Sequence, residues 1–192
     1  MGEIRFIGDG HLGHPKVALL RGFESVDHWR AVFLRNVLRI ARRDTLWYWT
    51  GDAFMGNWRE EIRIVDQIPG THVWILGNHD RAHPMHPNAY RYQAEALRHF
   101  AAVATMASIR HNGIQLLISH FPYDGDTDGR AEDRHTQWRL RDEGRPLICA
   151  HTHSTEKVSH SKAGTPQLNT SLDAWEFKPP TLHDLLVAGG LT

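Results

Sequence analysis

Side chains able to bind a metal ion or move a proton recur at short intervals along this chain. Asp9-x-His11, Gly51-Asp52, Gly77-Asn78-His79-Asp80, Ser119-His120 and His151-x-His153 each place such groups directly after a short apolar run. Carboxylate, carboxamide and imidazole donors without a thiolate suit Mn, Fe, Ni, Zn or Co better than Cu(I) or an iron–sulfur cluster. Imidazole also exchanges protons near neutral pH. On an extended backbone, the i, i+2 spacing of Asp9/His11 and of His151/His153 would turn both members of each pair to one side. Seven ligands exceed one tetrahedral site and fit two ions that share a carboxylate. Each motif alone is ordinary: Gly-Asp and Gly-Asn are turn dipeptides, His-Thr-His suits a solvated loop, and Ser-His commonly ends a strand. Their shared position after successive apolar runs separates them from chance.

The elements that must position these groups read as an α/β alternation. Residues 4–7 predict a strand running into the Gly8–His14 stretch. Ser25 is placed to cap a helix over 26–43, with Trp29, Val32, Phe33, Val37 and Ile40 on one face. The aromatic run 45–50 predicts a buried strand that halts at Gly51-Asp52. A helix over 58–67, stopped by Pro69-Gly70, leads to a strand over 71–76, and a further helix is expected over 90–100. Two strands, 101–109 and 114–119, flank the hairpin signal His111-Asn112-Gly113. A polar loop from 121 to about 134 follows, then a short helix near 137–143, a strand over 146–150, a hairpin-like stretch over 157–171 and a helix over 181–187. Open α/β folds gather ligands outside the carboxyl ends of their strands, so five strands can deliver these groups to one place.

Composition narrows the classes. The 192 residues predict one domain, and 41% hydrophobic content with seven Trp and seven Phe is enough for a substantial core. Twenty-two basic and 22 acidic residues cancel, which argues against a dedicated duplex nucleic-acid binder. The single cysteine, Cys149, excludes an intramolecular disulfide framework and suits a reducing cytoplasm. No run of about 18 apolar residues predicts a membrane span, and no apolar signal segment follows the first residues, so a cytoplasmic location is expected. Fifteen histidines are the compositional oddity.

In their order, the motifs resemble the calcineurin-like metallophosphoesterase family, whose pattern is D-x-H, G-D, G-N-H-D/E, H and G-H-x-H. The resemblance covers nearly the whole chain from Asp9 to His153. The tail Asn169-Thr170-Ser171-Leu172-Asp173-Ala174-Trp175, with Pro179, is similar to the end of compact bacterial and phage-type members. It implies an α/β fold, a four-layer α-β-β-α sandwich over residues 1–192, with its site at the carboxyl ends of the strands. Asp9, His11 and His153 would hold one divalent or trivalent ion, and Asn78, His120 and His151 the other. Asp52 would bridge both. Manganese is the first expectation, with Fe, Ni, Zn or Co as alternatives. His79 would face the substrate, with Asp80 behind it fixing its tautomer, and Asn78, His14 and Arg81 are further candidates for substrate contact. There is one departure: Ala150 stands where the family has glycine before the last His-x-His. A positive φ there would cost alanine about 1 kcal/mol. Gly10 is also smaller than the residue the pattern leads one to expect.

The resemblance implies hydrolysis of a small phosphoester by a metal-bridging hydroxide, with His79 as general acid to the leaving oxygen. Small nucleotide diesters, cyclic ones included, are the first expectation, and a phosphomonoesterase is the alternative. A scaffold that has lost catalysis is disfavoured because every ligand position is filled. A structural metal site is disfavoured because seven ligands without cysteine do not make a closed cage. Asp124-x-Asp126-x-Asp128-Gly129 matches half of an EF-hand loop, but position twelve is His135 and a strand leads in. A polar flap beside the site is the better reading. His72, His83, His86, His99, His111, His160 and His183 are read as surface or structural residues. The sequence leaves oligomeric state open.

Overall fold

The computed structural model describes residues 2–127 and 129–192. The described residues form nine strands and five α-helices. Four strands, β1 (Ile4–Ile7), β2 (Leu46–Thr50), β3 (Thr71–Ile75) and β4 (Ala102–Ala104), make a wholly parallel sheet in sequence order. Five more, β5 (Met106–His111), β6 (Ile114–Ser119), β7 (Leu147–Cys149), β8 (Val158–His160) and β9 (Pro166–Asn169), make a mixed sheet in the order β5-β6-β7-β9-β8. Strands β6, β7 and β9 run parallel to one another. The carboxyl ends of β1, β2, β3, β6 and β7 are the starting points of the five motifs.

The helices are α1 (Pro15–Leu20), α2 (Val26–Leu38), α3 (Trp58–Glu61), α4 (Ala89–Ala96) and α5 (Leu182–Ala188). Ser25 caps α2 as its sequence position predicts, its hydroxyl accepting from the His28 N–H at 3.0 Å. The helix ends at Leu38 rather than near 43, because the chain must turn into β2; Thr45 Oγ1 accepts from Arg42 N–H in that turn. The 58–67 helix is α-helical for one turn and then tightens to a 3-10 helix over Ile62–Gln67, still burying Trp58, Ile62, Ile64 and Val65. The predicted strand over 101–109 is two strands in different sheets, parted at Thr105. The hairpin falls at the expected signal, but β5 runs on to His111, so its loop is only Asn112 and Gly113, both at positive φ. The helix expected near 137–143 is a single 3-10 turn at Thr136–Trp138. Helix α1 was not anticipated, although Pro15 at its first turn is a start signal.

Period-two alternation along β1 to β3 divides the interior. Ile7, Trp47, Trp49 and Trp74 face the helices, packing on Trp29, Phe33 and Val37 of α2 and on Trp58, Ile62 and Val65. Phe6, Tyr48 and Ile75 face the other way, onto Leu116, Ile118, Ile148 and Leu168 of the second sheet and onto α5. Beyond the second sheet, Tyr123 and Leu140 cover Leu117, Leu147 and Cys149. None of the described helices is long and apolar enough to cross a membrane.

Trp49 is fully buried in the helix-side core, ringed by Phe33, Phe54 and Phe100 and donating to His72 Nδ1 at 3.1 Å. Trp49→Ala removes that ring and orphans the imidazole nitrogen. We expect a loss of about 3–5 kcal/mol in urea unfolding, read as a lower midpoint with an unchanged slope.

Candidate metal centre

Beyond the last paired residues of β1 and β2 the two loops continue to bond to each other. Asp9 N–H donates to Gly51 O at 3.1 Å, His11 N–H to Asp52 O at 2.8 Å and Leu12 N–H to Ala53 O at 2.9 Å. This loop-to-loop ladder carries Asp9, His11 and Asp52 past the sheet edge. Asp9, His11, Asp52, His151 and His153 all adopt positive φ, where non-glycine residues are uncommon and Asp and His least so. The i, i+2 pairs therefore converge through left-handed backbone, not through the extended spacing expected from the sequence. Ala150 is not among the positive-φ residues, so its methyl group carries no such strain.

Two groups of donors result. Asp9, His11 and His153 bring one ligand atom each within 4.8 Å of one another, and Asp52, His120 and His151 do the same. His11 Nε2 lies 3.0 Å from His153 Nε2. His120 Nε2 lies 3.1 Å from His151 Nδ1 and 3.2 Å from Asn78 Oδ1. Asp52 stands between the groups, its Oδ2 3.8 Å from His11 Nε2 and 3.4 Å from His120 Nε2. Gly51 and Gly77 make room: a Cβ at Gly51 would fall on the His120 ring, and one at Gly77 on the Asp52 carboxylate.

The hydrogen-bond partners fix which nitrogen faces inward. The Thr50 carbonyl can only accept, so His120 carries hydrogen on Nδ1 and turns Nε2 to the site. His151 donates from Nε2 to Asp126 at 2.7 Å and turns Nδ1 inward. His153 donates from Nδ1 to Asp173 at 3.0 Å and turns Nε2 inward. Nitrogens facing each other at hydrogen-bond distance, beside buried carboxylates, need a cation or a proton between them. This donor set fits metal ions, which Asp9, His11 and His153 would hold on one side and Asp52, Asn78, His120 and His151 on the other.

The electrostatics agree. Burial disfavours charge on His120, but the Asp52 carboxylate outweighs it and pushes the imidazole up to about 9. Burial likewise opposes charge on His153, yet Asp9 and Asp173 raise it. Burial drives His11 and His151 each down to about 3. Each group thus pairs a histidine favoured as a cation with one favoured neutral.

Several candidates play other parts. Asp80 does not stand behind His79. Its buried carboxylate accepts from the N–H groups of Gly77 (2.7 Å), Asp52 (2.9 Å) and Ala53 (3.0 Å). The turn that returns Asp80 N–H to Gly77 O folds the side chain back onto the backbone, so it clamps the ends of β2 and β3 together. His79 is exposed at the edge of the site, its ring 5.7 Å from that of His11, and its N–H donates to Asp52 Oδ1 at 2.8 Å. His14 caps α1 through Nδ1 and lies edge-on to His11 at 5.9 Å. The Arg81 guanidinium lies over Tyr92 at 6.0 Å. His83 and His72 are buried structural residues, whereas His86 bonds the Asn78 carbonyl at 2.7 Å.

Sequence reasoning missed the groups behind the ligands. Arg21, its side chain 4% exposed, donates to both oxygens of Asp173, which in turn holds His153. It also donates to the Asp9 and Gly10 carbonyls. Asp126 is buried against His151 and is engaged by Arg134 and Arg139, which is incompatible with the calcium-loop reading; Asp128 of that loop lies outside the described residues. No spacing rule links these distant positions, though the acid-rich loop was visible.

No protein-family model matches the chain. It is similar to the Gene 66 protein of Mycobacterium phage D29, 36% identical over 197 residues that cover 97% of this chain and 92% of that protein. Among solved structures it is similar to a protein of unknown function from Aquifex aeolicus, with a TM-score of 0.69 and 20% identity over 95% of this chain and 97% of the other. It is also similar to the phosphopantetheinyl hydrolase of Mycobacterium tuberculosis, with a TM-score of 0.54 and 11% identity over 88% of both chains. Those two likenesses show a shared fold.

Uptake of a divalent ion by either group displaces the proton between its histidines. Protons compete below the folded pKa of the raised histidine, His153 in one group and His120 in the other, so apparent affinity should rise with pH, for the His120 group up to about 9. Calorimetric Mn2+ titrations in buffers of different protonation enthalpy read this release. A binding heat independent of buffer would refute it.

Proposed function

The chain belongs to the family of the Gene 66 protein of Mycobacterium phage D29, and on that footing we propose that it is a dinuclear-metal-dependent phosphoesterase. Its first substrates are phosphodiesters of small nucleotides, 2′,3′- or 3′,5′-cyclic ones included, and manganese is its first metal. The observation that carries this reading is that Asp52, grouped with His120 and His151, also reaches toward His11 of the other donor group, with an exposed imidazole at their edge. The fold shared with a protein described as a hydrolase supports it. We read residues 1–192 as one metallophosphoesterase domain built on the α-β-β-α plan. Its fourth layer is reduced to the 122–145 segment over the second sheet.

When bound, two ions would neutralise phosphoryl oxygens and acidify a water. The chain's own residues do the rest. Asp52 is aligned by the His79 N–H on Oδ1, leaving Oδ2 to face both groups. Asn78 adds a neutral oxygen, which keeps a site with two buried carboxylates from accumulating a third. The His79 ring can hold a proton at the solvent edge and release it to the departing oxygen. Asp80 acts on the same step indirectly, by pinning the backbone of the loop that carries Asn78 and His79.

Two measurements test this reading. The Mn2+-loaded protein should hydrolyse bis(p-nitrophenyl) phosphate faster than p-nitrophenyl phosphate; a strong preference for the monoester would move the assignment to a phosphomonoesterase. His79→Asn should slow a diester with an alkoxide leaving group by about 10²–10⁴-fold, the range for a lost general acid. It should slow nitrophenyl esters far less, because nitrophenolate departs unprotonated. Equal losses on both would remove His79 from the acid role.

A further inference from the structure

Within the 122–139 segment, the Asp126 carboxylate points into the protein. Asp126 is 4% exposed. Its Oδ2 accepts from His151 Nε2 at 2.7 Å and from Arg139 at 2.8 Å, and its Oδ1 from Arg134 at 2.7 Å. Arg139 is itself fixed, donating to the Pro122 carbonyl at 2.6 Å and the Arg134 carbonyl at 2.8 Å. The carboxylate is thus held by the segment's own frame and presented to the back of one histidine. The next turn of the segment, Arg130 to His135, faces Asn78, His79, Met85 and His86 across a cleft of about 830 Å³. One stretch of chain therefore forms a wall of the cleft before His79 and also holds His151.

A neutral imidazole has one N–H and one lone pair, so the partner on the outer nitrogen decides what the inner one offers. We propose that Asp126 is a positioning residue. By holding His151 with its hydrogen on Nε2 and its ring turned toward His120, it sets the affinity of the Asp52/Asn78/His120/His151 group for a divalent ion, without touching ion or substrate. This rests on the reading of that group as a metal site. A purely structural ion-pair cluster would alter thermal stability on mutation but leave the His151 tautomer and the ion affinity where they were.

The test uses the full chain, stripped of metal with a chelator, as wild type, Asp126→Ala and Asp126→Asn. Histidine ¹⁵N spectra of the stripped protein should show His151 as the Nε2–H tautomer in wild type and as a mixture in Asp126→Ala. Titration with Co2+, followed by its visible absorption, should give two ions per wild-type chain. In Asp126→Ala one ion should bind as before and the other about 10–100-fold more weakly, the usual cost of losing a partner behind a ligating histidine. Asp124→Ala, on the same segment but bonded to Lys162 N–H, should change neither. Should the alanine variant fail to fold, Asp126→Asn keeps the shape and should weaken the same ion. A two-ion wild type with unchanged affinities and tautomer in the folded variants overturns this inference alone. A wild type that takes up no second ion overturns the metal reading on which it stands.

Discussion

The meeting of the two sheets at one end constrains everything else in this protein. Gly8 N–H donates to Thr170 O at 3.1 Å, Leu172 N–H returns to Gly8 O at 3.1 Å, and the Thr50 and Thr170 hydroxyls lie 2.6 Å apart. Those contacts bring the end of β1 against the end of β9, although the strands belong to different sheets. With β2 and β3 beside β1, and β7 and β6 beside β9, five motifs scattered over some 140 positions of chain come within reach of one another. Asp9 marks the junction, for its carboxylate accepts the N–H of His151 from the opposite sheet. A parallel sheet buried on both faces has little freedom of register, so the site inherits the precision of the core beneath it.

Behind each donor group the same construction appears twice from unrelated parts of the chain. Asp173 holds His153 and is held by Arg21; Asp126 holds His151 and is held by Arg134 and Arg139. Burying so much charge is costly unless every group is paired, and here the arginines balance the carboxylates while the carboxylates orient the imidazoles. The two versions differ in exposure: the His153 side chain is 37% exposed and that of His151 only 3%. The Asp9 group is thus the more open of the two.

What could be read in the sequence was whatever is written locally. The Ser25 cap, the Asn112-Gly113 hairpin and the ordered motifs all depend on residues within a few positions of one another, and all are in the structure. The parting of one apolar run into β4 and β5 could not be read, since nothing at Thr105 marks a change of sheet; pairing partners far along the chain decide it. The part played by Asp80 was misread for a similar reason. Its adjacency to His79 implied a side-chain partnership, but three backbone N–H groups left unpaired beyond the strand ends were the stronger claim on a buried carboxylate. Arg21, Asp126 and Asp173 were unreadable as a set because only the fold makes them neighbours.

The left-handed backbone at Asp9, His11, Asp52, His151 and His153 sets folding and function against each other. Each such residue costs about 1–2 kcal/mol that glycine would not. At all five positions, the substitution that most relaxes the chain is the one that deletes a candidate metal donor. A library of variants sorted purely for heat tolerance would therefore drift toward glycine here, enriching sturdier proteins with an emptied centre. In this fold the ledger of stability and the inventory of donors are written on the same five residues, and they call for opposite changes.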